Sequence, residues 1–574
     1  MSFVQGPSEP ALWSKTLGQL IHEQATVNGD RTAVAVPWQG LSLSYRELDR
    51  RTTHLAITLL RLGLIHGEHV GILAGNSLPH VEIFLAAARI GCPVVSLHHT
   101  YTPDELRRAA AKTSCKLIFI ASNVGNKSFF AHQDMLCDCL MTGQLPELKT
   151  VVTIGQSRND PSMQTYEALV SRHSIGKSGE VDGSFMLKAA EGMIRPDDIL
   201  SLEFTSGTTG QPKAAMLTHI NLLSNARLVG DAMNLTEEDI VCCPAPLFHG
   251  FAIGSGVLAS LSHGCSVVLP SDHFDAPLML QGVQDQKATL LLGVPTMFLA
   301  ELEAMKPNKP ISSLRAAIAG GAAVSPDLTH NLHARMGVHE VFVVLGMTET
   351  GVSFISSINH TDVAIVGVAG RVMPHTRAKV LDKRGRIAPR GQKGELYVSG
   401  HGLQKGYYKD EAKTSEAMNS DDAGVQWMGT GDEAIIDGQD LCRVVGRTKD
   451  VIIRGGENIS PLEIEERLSR HPCVSEVSVF GMPDPRYGEA VACLGKIAPA
   501  AERPLDEEVR EWVKQTLGKH KAPTYIFWLG DSGIAHEFPR TDSGKIQKHV
   551  MQEIGKALIA KKNDGMLDGL QLKI

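Results

Sequence analysis

The most informative stretch of this 574-residue sequence is a loop rich in small and hydroxylated residues, Thr205-Ser206-Gly207-Thr208-Thr209-Gly210-Gln211-Pro212-Lys213. It follows an apolar run at residues 199–204 that is typical of a buried strand. Small residues let backbone N–H groups approach an anion closely, the hydroxyl groups add donors, and Lys213 supplies positive charge. The pattern therefore predicts a phosphate-binding loop. It is not a Walker A loop, because no G-x-x-x-x-G-K-[ST] sequence aligns with it.

Strands and helices alternate through the first part of the chain. Apolar residues at helical spacing predict helices at 45–62, 81–90 and 102–112, and short apolar runs predict strands at 69–74, 93–97 and 117–121. This alternation is typical of parallel βαβ units, whose ligands bind at the carboxyl ends of the strands. The sequence therefore predicts an α/β fold.

The last quarter of the chain has a different pattern. Ser460-Pro461-Leu462-Glu463 predicts a capping box that begins a helix ending near residue 470. An alternating strand at 473–480 and a second helix at 507–517 follow. We expect a separate small α+β domain here.

Composition and charge exclude several classes of protein. Apolar residues make up 43% and charged residues 21%, which excludes a wholly disordered chain. The net charge of −7 and the 5% of aromatic residues argue against a nucleic-acid partner. The ten cysteines form no C-x-x-C pair, so we expect free thiols.

The two ends of the chain and its apolar runs indicate the cellular location to expect for the protein. The N-terminus lacks a signal-peptide pattern, and no apolar run approaches the about 20 residues of a membrane span. We expect a cytoplasmic protein with no membrane span. Leu572-Lys573-Ile574 loosely resembles the Ser-Lys-Leu peroxisomal address, so an ordinary tail and a peroxisomal signal both stay open.

Seven further segments follow the loop in a fixed order: Pro246-Leu247-Phe248-His249-Gly250, Ala319-Gly320-Gly321-Ala322, Leu345-Gly346-Met347-Thr348-Glu349-Thr350, Thr430-Gly431-Asp432, Gly446-Arg447-Thr448-Lys449-Asp450, Arg454-Gly455-Gly456-Glu457-Asn458 and Pro539-Arg540-Thr541-Asp542-Ser543-Gly544-Lys545. Together with the loop, they resemble the motifs of the adenylate-forming (AMP-binding) superfamily across residues 10–555. The sequence is most similar to medium-chain fatty acyl-CoA synthetases. The resemblance implies a large N-terminal adenylating domain of βαβ subdomains, residues 1–448. A small mobile C-terminal lid domain, residues 449–574, would follow a hinge near Lys449.

The resemblance also implies a reaction in two halves. A small-molecule carboxylic acid attacks the α-phosphate of ATP, giving acyl-AMP and pyrophosphate, and the thiol of CoA then displaces AMP. ATP, CoA and Mg²⁺ are the implied cofactors, and we expect a monomer or a homodimer. Most of the catalytic task is positioning and charge neutralisation.

The charged motif residues suit that task. Glu349 follows an apolar run and could hold Mg²⁺, with Thr348 on the α-phosphate, although a solvated turn acid is the alternative. Asp432, predicted at a tight turn, could accept from the ribose hydroxyls, and Arg447 could donate to the ribose or phosphate. Without the resemblance, both could be surface ion-pair members. Lys545 would bridge the carboxylate and the α-phosphate when the lid closes, or it is a solvated tail lysine.

The remaining predicted residues line the nucleotide, thiol and acyl parts of the site. Ala322, Leu345 and Gly346 stand at the adenine positions, where Leu345 replaces the family's usual aromatic residue. Arg454, Gly455 and Gly456 would lie on the thiolation face, or form a surface turn. His249 would line and gate the acyl end, or be a core histidine.

The predicted acyl pocket is small or apolar, and it consists of His249, Gly250, Ala319, Gly320, Gly321, Val344, Met347 and Val352. It offers no lysine or arginine for a second carboxylate and no acid for an amino group, which favours a monocarboxylic, mostly apolar acid. Chain length and hydroxylation stay open. A carrier-protein-loading ligase, a non-catalytic relative and a luciferase-like oxygenase are the alternative functions.

Overall fold

The computed structural model describes residues 1–156, 163–171, 183–205, 212–305, 311–359, 368–447, 450–454, 457–484, 486–499, 501–541 and 546–563. Within these ranges the chain forms a large N-terminal domain around two sheets and a small C-terminal domain around a third. A two-stranded ribbon, Asn123–Val124 with Lys127–Ser128, completes the strands. The fold is α/β, as predicted.

One sheet of the large domain has seven described strands with a parallel centre. Their spatial order is Gln164–Thr165, Thr150–Ile154, Cys115–Ala121, His69–Leu73, Val94–Ser96, Ile199–Thr205 and Lys213–Thr218. Only the last pair is antiparallel, and its register sets Thr205 opposite Lys213. The two ends of the predicted phosphate loop are therefore paired, while residues 206–211 lie outside the described ranges.

The other large sheet combines a parallel half and an antiparallel half. In spatial order its strands are Phe3–Gln5, Thr376–Leu381, Lys393–Gly400, Gln426–Ile436, Cys442–Arg447, Val368–Val372, Gly351–Asn359, Glu340–Met347, Ala316–Ala319, Leu290–Gly293, Ile240–Cys242, Ser266–Val268, Thr32–Val36 and Leu41–Ser44, with Met418–Ser420 beside Gln426–Ile436. Parallel pairing runs from Glu340–Met347 to Thr32–Val36. The antiparallel half was not predicted from the sequence.

The small domain packs helices on a mixed sheet. Its strands are Glu457–Ile459, Ile452–Arg454, Gly488–Ile497, Val474–Asp484 and Tyr525–Trp528. Its helices are Pro461–Ser469, Asp506–Lys514, Lys519–Lys521 and Lys548–Asn563. Two hydrophobic clusters fill the two faces of this sheet, one around Trp528 and one around Phe527. The predicted α+β architecture is confirmed.

The helices of the large domain follow local signals closely. They are Leu17–Val27, Pro37–Gln39, Tyr45–Arg61, Leu78–Arg89, Pro103–Thr113, Phe130–Thr142, Tyr166–Ser171, Gly183–Met193, Asn225–Ala232, Ala259–His263, Ala276–Asp285, Pro295–Ala304, Pro326–Asn331 and Glu411–Ala417, with π-helical turns at Ile220–Ser224, Ala252–Leu258 and Leu332–Met336. The predicted helix at 45–62 is confirmed, because Ser44 and Glu47 form a reciprocal capping box. The helix predicted at 81–90 begins earlier, since the hydroxyl of Ser77 accepts from the His80 N–H.

The capping box predicted at Ser460 is wrong. A helix does begin at Pro461, but the Ser460 hydroxyl donates to the carbonyl of Val445 instead of capping it. Glu463, the expected partner, forms an ion pair with Lys521 at 2.6 Å. Tertiary contacts have therefore taken both side chains away from the local motif.

All ten cysteines are free thiols, as predicted. None of the described helices is both long enough and apolar enough to span a membrane.

Candidate active site

A cavity of about 650 Å³ lies where strands of the two large sheets end. It is lined by residues that come directly after or near the carboxyl ends of parallel strands: His98, Thr205, Val294, Gly321, Met347 and Thr348. The expected position for a ligand site in such sheets is confirmed. The π-helical turns Ile220–Ser224 and Ala252–Leu258 add polar residues to the opposite wall, as such turns often do at functional sites.

Glu349 stands at one end of this cavity and is 5% exposed. The hydroxyl of Thr205 donates to its Oε1 at 3.1 Å, and the hydroxyl of Tyr407 donates to the same oxygen at 2.9 Å. The ammonium of Lys213 lies 4.8 Å from the centre of the Tyr407 ring. Thr205, at one end of the predicted phosphate loop, thus holds the Glu349 carboxylate. Lys213, at the other end, lies against the Tyr407 ring whose hydroxyl contacts the same carboxylate.

Tyr407 is a functional residue that the sequence reasoning missed. Burial, and next the Glu349 carboxylate, raise the pKa of the Tyr407 phenol above its ordinary value. The phenol therefore keeps its proton at neutral pH and can donate to Glu349. No motif around Tyr407 signals this contact, because 58 residues separate the two partners.

A second cavity of about 240 Å³ brings together the predicted nucleoside residues. Ala322, Leu345, Gly346, Asp432 and Arg447 all line it. The Arg447 Nε lies 3.0 Å from the Asp432 Oδ1. Gly321, Val344, Gly346 and Arg447 line both cavities, so the two adjoin along these residues.

The prediction that Asp432 occupies a tight turn is wrong. It lies within the strand Gln426–Ile436, directly opposite Arg447 on the neighbouring strand. Antiparallel pairing, together with the positive φ of 71° at Gly431, presents the carboxylate next to the guanidinium. Two motifs that are separate in sequence thus become one ion pair.

The small domain contributes to both cavities. Arg540, Thr541 and Gln547 line the larger cavity, and Glu465 and Lys548 line the smaller. Lys548 forms an ion pair with Glu465 at 2.7 Å. Lys545 lies outside the described ranges, but Thr541 and Gln547, the lining residues on either side of residues 542–545, are at the cavity wall.

Aromatic rings surround His249 at the other end of the larger cavity. The rings of Phe248 and His249 are 4.5 Å apart, and the ring of His98 lies 5.3 Å from that of His249. His98 also stacks on Tyr101 at 5.0 Å. His98 and Tyr101 were missed from the sequence, although both closely follow a predicted strand.

Six of the eight residues predicted for the acyl pocket line one cavity. His249, Gly250, Gly321, Val344, Met347 and Val352 line the larger cavity, whereas Ala319 and Gly320 are not among its lining residues. The expectation that the pocket contains no acid is wrong, because Glu203 lines it and is 2% exposed. Burial raises the pKa of the Glu203 carboxyl to about 7. The prediction missed Glu203 because this residue lies within the mostly apolar run at residues 199–204.

Other predicted residues lie away from these cavities or outside the described ranges. Arg454 lines neither cavity, and its Nη1 donates to the carbonyl of His520 at 3.2 Å. Its guanidinium lies 4.6 Å from the centre of the Tyr487 ring. Gly455, Gly456 and Lys449 belong to the stretches that are not described.

Comparison with known families agrees with this geometry. The sequence model named AMP-binding enzyme matches residues 21–408, and the model named AMP-binding enzyme C-terminal domain matches residues 463–545. The chain belongs to the AMP-binding enzyme family. This AMP-binding enzyme has two matched regions that coincide with its large and small domains.

Individual relatives of this AMP-binding enzyme narrow its class. It is 41% identical to acyl-CoA ligase sidI of Aspergillus fumigatus, over 98% of this chain and 95% of that protein. It is 31% identical to the mitochondrial medium-chain acyl-CoA ligase ACSF2 of Rattus norvegicus, over 96% and 89%. Among solved structures, ATP-bound MatB from Rhodopseudomonas palustris matches with a TM-score of 0.78 at 25% identity, covering 95% of this chain and all of that one. The protein is thus an AMP-forming acid–thiol ligase of the acyl-CoA ligase family, which uses ATP and CoA.

Proposed function

We propose that this enzyme converts a monocarboxylic, mostly apolar acid, a medium-chain fatty acid or a related one, to its CoA thioester through an acyl-AMP intermediate. The observation that carries the proposal is that the two cavities adjoin and share Arg447 in their lining. A nucleoside in the smaller cavity would direct its phosphates towards the carboxylate end of the larger one, and an acid would enter from the His249 end.

The nucleotide would be held by the residues of the smaller cavity. Leu345, Gly346 and Ala322 offer an apolar surface for a base, which suits adenine without requiring an aromatic partner. Asp432 offers a carboxylate for the ribose hydroxyls, and Arg447 lies where it can donate to the ribose or the α-phosphate.

Glu349 fits the role of magnesium ligand. It is buried, its orientation is held by two hydroxyl donors, and it lies beside the phosphate loop. Mg²⁺ commonly takes one or two protein carboxylates together with phosphate oxygens, so a cluster of protein ligands is not required. When bound, the ion would neutralise charge on the phosphates. Thr348, the neighbouring lining residue, would donate to the α-phosphate.

The loop from Thr205 to Lys213 would cradle the β- and γ-phosphates, with Ser206, Gly207, Thr208, Thr209, Gly210, Gln211 and Pro212 between its two ends. Lys545 would act between the acid carboxylate and the α-phosphate. The position of Thr541 and Gln547 on the cavity wall supports that role, because they flank the segment that contains Lys545 in the sequence.

The thiol-transfer half would require a different arrangement of the two domains, residues 1–448 and 449–574. Rotation about Lys449 would remove Lys545 and bring Arg454, Gly455 and Gly456 to the cavity. Two glycines leave room for the pantetheine arm of CoA. The exposure of neighbouring Ile453, 56%, is consistent with a surface that another group covers in one step of the cycle.

Measurements of the two half-reactions test this function. Purified enzyme is given ATP, Mg²⁺ and a panel of short- to long-chain monocarboxylic acids, and both ATP–pyrophosphate exchange and CoA thioester formation are measured. We expect acid-dependent exchange without CoA, and thioester only when CoA is added. Exchange without any thioester, combined with transfer to an acyl carrier protein, would instead identify a carrier-loading ligase. Absence of exchange with every acid would contradict the adenylation step.

A further inference from the structure

Glu203 is a buried carboxyl group on the wall of the cavity, and neither the phosphate chemistry nor the nucleoside site uses it. We propose that Glu203 is a specificity-determining residue that favours acids whose tails carry a hydrogen-bond donor and disfavours acids with a second carboxylate. The inference rests on the proposed function, because it assumes that the acyl tail lies in the His249 end of the larger cavity.

The position of Glu203 follows from the strand Ile199–Thr205. Side chains alternate along a strand, so Glu203 and Thr205 share one face, and Thr205 contacts Glu349 at the phosphate end. Glu203 therefore lies two residues further back, towards the acyl end. Its Oε2 would be only 2.6 Å from a Cβ at Gly250, so the carboxyl packs against the turn that carries His249.

The carboxyl group retains part of its acceptor capacity. The Gly250 N–H donates to it, and Ser201 donates to its Oε1 at 3.5 Å, which is the long limit of a hydrogen bond. A carboxylate has about four lone-pair sites, so a closer donor could bind there. A hydroxyl, an amide N–H or an ammonium group on the acyl tail would each supply such a donor.

Two asparagines that line the same cavity are already engaged by the protein. Asn225 donates to the carbonyl of Val352 and accepts from its N–H, both at 2.9 Å. The Asn221 amide donates to the carbonyl of Leu403 at 3.2 Å, and its oxygen accepts from the Thr218 N–H at 2.8 Å. These two amides therefore complete the protein's own hydrogen bonds, whereas the Glu203 carboxyl has acceptor sites left for a substrate.

Electrostatic repulsion explains why acids with a second carboxylate should be disfavoured. The carboxylate of Glu349 already acts unfavourably on Glu203 across the cavity. A second carboxylate on the acyl tail would add a third acidic group to this space, and like charges at short range in a buried site are unfavourable. An acyl tail with a donor forms a hydrogen bond to the Glu203 carboxyl, whereas a purely apolar tail offers this buried acceptor no partner.

The test compares acids of equal length. The parent enzyme, Glu203→Gln and Glu203→Leu are assayed for CoA thioester formation with hexanoate, its 3-, 4-, 5- and 6-hydroxy derivatives, 6-aminohexanoate and adipate, and with the corresponding four-carbon series. At a pH above the pKa of about 7 of the Glu203 carboxyl, we expect the kcat/KM of the parent to favour the best donor-bearing acid over its unsubstituted counterpart by about tenfold to a hundredfold, as for a hydrogen bond to a charged group.

The variants should change this ratio in different ways. Glu203→Leu should lose the preference and favour the unsubstituted acid. Glu203→Gln should keep part of the preference, because its amide oxygen still accepts, and should gain activity towards the diacids. The matched control is Glu301→Leu, which makes the same change at a fully buried glutamate that is not among the residues lining the cavity. It should keep the parental ratio.

Two outcomes separate failure of this inference from failure of the proposed function. If the parent forms no thioester with any acid, the function itself is wrong. If thioesters form but Glu203→Gln retains every parental ratio, Glu203 does not select the acid. The near-isosteric glutamine variant keeps the test conclusive even if Glu203→Leu proves to be poorly folded.

Discussion

Tyr407→Phe tests whether the carboxylate of Glu349 must be held in place to bind Mg²⁺. The change removes the hydroxyl that donates to the Glu349 Oε1 at 2.9 Å and also bonds to the Gln404 side chain, while phenylalanine fills the space of the ring, which is 4% exposed. The contact of Lys213 with the ring at 4.8 Å is also preserved. Loss of a group that orients a metal ligand typically costs about 10- to 100-fold in metal affinity. We expect the Mg²⁺ concentration for half-maximal ATP–pyrophosphate exchange to rise by that factor.

The assay is a magnesium titration of exchange at fixed, saturating ATP and acid. Tyr408→Phe serves as the control, since it makes the same change at the next residue, whose ring packs edge-on against His69. Thr205→Val, alone and with Tyr407→Phe, completes a double-mutant cycle. The two hydroxyls share one carboxylate oxygen, so their effects should not add. A magnesium midpoint within about twofold of the parent for Tyr407→Phe would refute the reasoning, because a factor of two is well below the expected loss.

Four further changes test the remaining assignments. Glu349→Gln removes the ligand charge but keeps its shape, so exchange should slow and require more Mg²⁺; an unchanged magnesium dependence would make Glu349 an ordinary buried acid. Lys545→Ala should reduce acyl-AMP formation by about 10²–10⁴-fold while supplied acyl-AMP still reacts with CoA, and equal losses in both steps would contradict two domain arrangements. Lys449→Pro restricts φ to about −65° and should impair thioester formation more than exchange; thioester formation at the parental rate would place the hinge elsewhere. Burial raises the pKa of the Glu301 carboxyl, and its two oxygens have no hydrogen-bond partner in the described ranges. Glu301 therefore keeps its proton in the folded state, whereas the same carboxyl loses its proton above about pH 4.5 in the unfolded chain. The parent should therefore lose up to about 1.4 kcal/mol of stability per pH unit relative to Glu301→Gln above that pH, and a difference in Tm that is equal at pH 6 and pH 8 would contradict this.

Several features of this protein could be predicted because their causes are local in sequence. Helix Tyr45–Arg61 begins where Ser44 and Glu47, three residues apart, cap each other. The strand Ile199–Thr205 and the loop after it were recognisable from an apolar run followed by small, hydroxylated residues. Parallel pairing of the early strands followed from their alternation with helices, and this alternation also predicted the edge of the sheet at which the cavity lies.

Other features depend on residues that approach each other only in the folded chain. The strand Phe3–Gln5 pairs with Thr376–Leu381, and no local pattern links segments so far apart. The Ser460 hydroxyl does not cap its helix and instead donates to the carbonyl of Val445, on a strand of the large domain. Propensity and capping describe neighbours along the chain, whereas these contacts are set by packing between sheets and domains.

The same distinction holds within the site. Motif residues such as Glu349, Asp432 and Arg447 were recognisable as charged groups in characteristic contexts, but their partners were not. Tyr407 reaches Glu349, and Glu203 meets the turn at Gly250, only through tertiary packing. The sequence by itself determined which chemical groups are available to bind nucleotide and metal. The tertiary structure determined which carboxyl groups are buried along the cavity and which partners they meet, because burial and the distance to a partner, not residue type, set how a carboxyl group behaves.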